Sequence, residues 1–198
     1  MSVVGSSGEA VYSELHGKYY TQNYNGKLWI ASLTSASAIP VAATSATPNF
    51  IVWNPASNNQ NVIPVSISVG FAAGTGIAGA IGYSYIPNAG STVATGAAMS
   101  AFTAATIRGG VAAKAYAGKV LFGTAATVTG TGNSVPVRWK WSQFSQGAPI
   151  TSTAAAYSLI EHFDGSLILP PGAAFYVDAS AAIAETVMIS LVAYEAPV

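Results

Sequence analysis

Apolar and polar residues alternate over residues 62 to 71, with Ile63, Val65, Ile67, Val69 and Phe71 on one parity and Pro64, Ser66, Ser68 and Gly70 on the other. A period of two sends successive side chains to opposite sides of a strand, so one side of this segment is expected in a core and the other, small and polar, outside it. Val135, Val137, Trp139 and Trp141 alternate in the same way against Arg138 and Lys140. That pattern suits an antiparallel strand with one wet face. Shorter runs of strand character cover Leu28 to Ser32, Phe50 to Trp53, Ala80 to Tyr85, Val120 to Val128, Ser158 to Phe163, Leu167 to Leu169, Ala174 to Asp178 and Thr186 to Tyr194. The Ala-rich stretch from Ala94 to Ala117 is expected to hold a short helix, broken at Gly109-Gly110.

Turn chemistry separates these runs at residues 54 to 59, 87 to 90 and 130 to 133, each built from Asn, Pro, Gly or Ser. Asp164-Gly165 lies between two apolar runs and predicts a hairpin, because both central residues of the favoured two-residue turn need positive φ. Many short strands with regular turn signals predict an all-β fold, an antiparallel β-sandwich with the jelly roll as the expected variety. Residues 1–26 read as an extended N-terminal arm, in which Tyr12, Tyr19, Tyr20 and Tyr24 are the candidate contact residues, and 27–198 as the β-sandwich domain.

Charge changes the picture more than length does. Charged residues are 7% of the 198, against about 25% in an ordinary soluble domain, while hydrophobic residues reach 51%. Seven basic and seven acidic side chains cancel, and no run of Lys or Arg is present to neutralise several phosphates, so direct nucleic-acid binding is not expected. No charged residue stands between Lys27 and Arg108, which raises a membrane span over Val65 to Ile86. Gly70, Gly74, Gly76, Gly79 and Gly82 argue against a helix there, so no membrane partner is expected. The first nine residues lack the basic start and continuous apolar core of a signal peptide, so synthesis without one is expected. Without cysteine, disulfides, thiolate metal sites and thiol nucleophiles are excluded.

Three motifs invite chemistry. Gly74-Thr75-Gly76-Ile77-Ala78-Gly79 matches the dinucleotide glycine pattern, but the next acidic residue is Glu161, far beyond the spacing of about 20 residues that holds a ribose hydroxyl. It is read as a glycine turn, and no cofactor is expected. Glu161-His162-Phe163-Asp164 brings two carboxylates and an imidazole together in sequence. On a strand Glu161 and His162 face opposite ways, which leaves His162 and Asp164, too few ligands for a metal. With two histidines and no Gly-x-Ser-x-Gly elbow, no catalytic residue is assigned. Trp139 and Trp141 share a face and would stack on sugar rings if exposed; beside Val137 the core is the expected place for them.

The stretch from Phe50 to Phe71, and the closing one from Asp164 through Asp178 to Glu195, resemble uncharacterised structural proteins of tailed bacteriophages. The resemblance covers about half the chain and carries over no functional residue. It implies a non-enzymatic β-rich virion protein such as a capsid decoration protein, spike or fibre head. It further implies a homotrimer placed on the capsid surface, made in the host cytoplasm and partnered by itself and by other virion proteins such as the major capsid protein. A carbohydrate- or receptor-binding fibre or spike head is the alternative. Independently, Val187, Ile189, Leu191 and Ala193 alternate with Met188, Val192 and Tyr194 in the last strand, so both faces are apolar. One serves the core; the other, through Met188, Val192 and Tyr194, is the expected oligomer interface.

Overall fold

The computed structural model describes residues 19–33, 36–39, 50–74, 79–87, 102–108, 111–115, 120–123, 137–144, 158–180 and 186–198. They form one short helix, α1 (Tyr20–Tyr24), and the strands β1 (Leu28–Leu33), β2 (Ser37–Ala38), β3 (Ile51–Trp53), β4 (Gln60–Ala73), β5 (Gly79–Ile86), β6 (Phe102–Arg108), β7 (Val111–Ala115), β8 (Leu121–Gly123), β9 (Val137–Phe144), β10 (Ser158–His162), β11 (Ala174–Ala179) and β12 (Thr186–Pro197). The fold is all-β, with two open antiparallel sheets. The first runs β10-β4-β12-β1-β6-β7, with β2 also paired to β12; the second runs β8-β3-β11-β5-β9.

Eight of these strands pair in a nested order. The first of them, β1, pairs with the last, β12. Then β3 pairs with β11, β4 with β10, and β5 with β9. β12 also joins β4, and β11 joins β5, which completes each sheet. Among the remaining strands, β6 and β7 extend the first sheet beyond β1, and β8 extends the second beyond β3.

One buried cluster draws on both sheets: Trp29, Ala31 and Leu33 of β1, Ile67 and Val69 of β4 and Val187, Ile189 and Leu191 of β12 meet Val52, Tyr83, Phe175 and Val177 of the second sheet. Alternation explains who enters it, with one correction in β4. Ile63, Val65, Ile67, Val69 and Phe71 were expected on one face, but the register slips opposite Val192 and Ala193, where Val192 faces Ser66 and Ala193 faces Pro64. The extra residue, Val65, inverts the pleat. Below it Val62 enters the core, and Ile63 moves to the outer face beside Tyr194. A proline beside the slip is physically apt, since it has no N–H to give the ladder.

Two further expectations change. Among its described residues the Ala94 to Ala117 region contains β6 and β7, not a helix, and Arg108 pairs with Val111; Gly109-Gly110 lies outside the described residues. Asp164 and Gly165 do take positive φ, 47° and 82°. They do not, however, reverse the chain between paired strands. Phe163 N donates to Val65 O at 2.9 Å, and Leu169 then bridges Val62, so the segment still runs along β4 after a tight excursion. Leu167 to Leu169 is accordingly a single bridge at Leu169.

Candidate functional site

The face of the first sheet turned away from the core is where the sequence-predicted interface residues lie. In β12, Val187, Ile189, Leu191 and Ala193 are buried, whereas Met188 is 38% exposed and Val192 and Tyr194 are half-buried. Strand register extends this face sideways. His162, Ser66, Val192 and Ile30 share one row across β10, β4, β12 and β1; Ile160, Ser68, Ser190 and Ser32 share the next; Ser158, Gly70 and Met188 share a third. Ser32 Oγ donates to Ser190 Oγ at 2.8 Å, tying β1 to β12 on this face. These rows carry no Lys, Arg, Asp or Glu.

The arm reaches the same face. Tyr19 sets its ring against Tyr194, centroids 6.1 Å apart, and Tyr20 stacks on Tyr24 at 6.0 Å. α1 lies against β1 and β6. At its described end, therefore, the arm folds onto its own sheet, and Tyr194 is partly covered by its own chain. Tyr24 remains 62% exposed. Tyr12 lies outside the described residues.

The Glu161 to Asp164 group is dispersed. Glu161 is half-buried on the core side of β10, His162 is exposed on the outer face, and Asp164 is exposed in the turn. Among the described residues no group of three or more His, Cys, Asp or Glu is placed to hold a metal ion. Of the glycine motif, residues 75–78 lie outside the described residues; Gly74, at φ 111°, ends β4. Trp139 and Trp141 sit on β9, whose side chains are also outside the description, while Trp29 and Trp53 are buried. No described helix is long and apolar enough to cross a membrane.

Several features escaped the sequence reading. Among its described residues the second sheet is buried on both sides of β3, β5 and β11: Ile51, Trp53, Ile86, Ala174 and Tyr176 form a separate apolar cluster away from the main core. On that side the buried Asp178 carboxylate accepts a hydrogen bond from Ser84 Oγ at 3.1 Å. Ile160 was read only as part of a strand, yet it is 61% exposed, two strands from Met188. Its alternation with Leu159 and Glu161 carried the signal. No protein-family model, curated protein or solved structure matches the chain.

Proposed function

We propose that the chain is a non-enzymatic structural protein of a virus particle, an oligomeric shell or capsid decoration component that assembles with itself and with other virion proteins. The single observation that carries this reading is the set of exposed apolar side chains on the outer side of β10 and β12. Met188, Val192 and Ile160 stand there without charge among small neighbours, on a chain with only 7% charged residues. Apolar surface of this kind marks a contact site more often than a solvated one.

We further read the two sheets as a sandwich, specifically a jelly roll with β6, β7 and β8 as additions. The nested pairing supports this, because a long hairpin rolled onto itself joins first strand to last, second to seventh, third to sixth and fourth to fifth. Jelly rolls recur in viral capsid and lectin domains.

Negative-stain images and solution mass of the purified full chain test the proposal. Closed, uniform oligomers that bind particles or their shell protein are expected; a trimer is the number the bacteriophage resemblance implies. A chain that stays monomeric at high concentration and binds glycans instead would overturn it in favour of an adhesion role.

A further inference from the structure

We propose that Asn25-Gly26 is a site of spontaneous covalent modification, where the asparagine loses its side-chain amide through a succinimide ring whenever the cap of α1 opens, and that the product unfastens α1 from the first sheet. It is the one Asn-Gly pair in the 198 residues. Asn25 is exposed, and Gly26 follows it at φ 68°. Beyond its chain neighbours, no heavy atom lies within 4 Å of the place a Gly26 Cβ would take, so nothing crowds the link. In the reaction Gly26 N bonds to Asn25 Cγ, the Cγ–Nδ2 bond breaks, and Nδ2 leaves as ammonia with the Gly26 amide proton. Water then opens the ring at either carbonyl. Attack at Cγ gives aspartate; attack at the backbone carbon gives isoaspartate, whose main chain runs through Cγ. Glycine suits the attacking position because it carries no side chain beside the nitrogen.

The fold restrains that nitrogen. Gly26 N donates to Asn23 O and Lys27 N to Gln22 O, both at 2.9 Å, the paired bonds that close a helix on a left-handed glycine. While they stand, the Gly26 N–H is engaged and its backbone is fixed. They stand on little. α1 has five residues, none of them buried, and no side-chain cap at Tyr19. A helix this short is not stable by itself. It is kept by contact with β1 and β6 and by the Tyr19 ring against Tyr194. Elements held by so few contacts open at low cost, and each opening releases the nitrogen to react. Isoaspartate then adds one carbon to the main chain between Tyr24 and Gly26, so the two cap bonds lose their common spacing. Either product sets a carboxylate at the carbonyl end of α1, where negative charge is unfavourable. The loss of ammonia makes the change one-way.

Ageing the purified full chain at mildly alkaline pH, followed by peptide mass analysis, is the test. Trypsin cuts after Lys18 and Lys27, so the site is read in the peptide Tyr19–Lys27. Expected are two isomeric products of that peptide, each with an acid in place of an amide, and fragmentation that locates the change at Asn25. Tyr19→Ala, which removes the ring packed on Tyr194, should raise the rate about fivefold, and Asn25→Gln should abolish the change, because its longer side chain forms the ring far more slowly. Aged parent should also be cut after Lys27 several-fold faster than Asn25→Gln aged alike, since that bond is reached by opening the cap. A peptide that converts in urea but stays unchanged in the folded chain would overturn the site. Equal rates in the parent and Tyr19→Ala would overturn the control by α1, and equal cutting after Lys27 would overturn the unfastening.

Discussion

Asn54 is fully buried and uses both ends of its amide. Its Nδ2 donates to Gln60 O and Leu169 O, each at 2.9 Å, while Oδ1 accepts from Asn58 Nδ2 at 2.7 Å. Its backbone is held too, Asn54 N donating to Ala173 O and Gly172 N to Asn54 O. One side chain therefore pins the β3–β4 loop to the segment that enters β11. Asn54→Ala removes the amide and leaves buried carbonyls unpaired, so a loss of about 3 kcal/mol is expected in urea unfolding; a loss under about 0.5 kcal/mol would mean the loop is held by its backbone alone. Tyr85 gives a pH signature. Burial raises its phenol above the ordinary value of 10.0. The folded state then holds the proton more tightly than the unfolded one, so this stability is fully present below about pH 10 and is lost as pH rises through the higher folded value. Tyr85→Phe should lose less stability than the parent between about pH 8 and about pH 11, measured by urea midpoints.

At the scale of elements, Phe163 joins the sheets. It leaves β10 and meets Phe175 of β11 edge-on at 5.6 Å and Tyr83 of β5 at 6.4 Å, while those two rings stack at 6.1 Å. Phe163→Ala should cost about 3–5 kcal/mol of unfolding free energy. In β12 the two faces should separate cleanly: Leu191→Ala costs about 2–5 kcal/mol, but Val192→Ala on the outer face less than about 1 kcal/mol in the unassociated chain. Equal losses would place Val192 in the core. These contrasts follow the alternation that was legible in sequence, since β12 and the upper half of β4 bury the parity their apolar residues announced. What period-two reading missed has physical causes. A bulge at Val65 inverts parity without changing composition, and β6 and β7 are rich in alanine, whose intrinsic preference is helical. Asp164-Gly165 encoded its dihedrals but not the destination of the chain, because β4 is long enough to pair on both sides of the turn. The candidate face was legible in Met188 and Val192; the place of Ile160 on it required the register that brings β10 and β12 to either side of β4.

For the whole molecule, the nested pairing ties the earliest described strand to the last. Ser32 and Ser190, hydrogen-bonded across β1 and β12, are 158 residues apart in sequence. β12 is moreover an interior strand, with β4 on one side and β1 on the other, so the first sheet has no continuous centre until residues 186–198 are in place. Closing loops of this length lowers chain entropy before the contacts that reward it form, which slows folding for topologies dominated by distant pairs. Refolding from urea, followed by intrinsic fluorescence, is expected on the scale of milliseconds to seconds or slower, as for other folds of non-local strand pairs. Deleting residues 186–198 should abolish cooperative unfolding altogether, because it strips Val187, Ile189, Leu191 and Ala193 from the core and leaves β4 and β1 with unpaired edges facing each other. A truncated chain that still unfolds in one sharp transition would mean that the second sheet and its own apolar cluster fold without the first, and that the molecule is built from two separable layers instead of one closed hairpin.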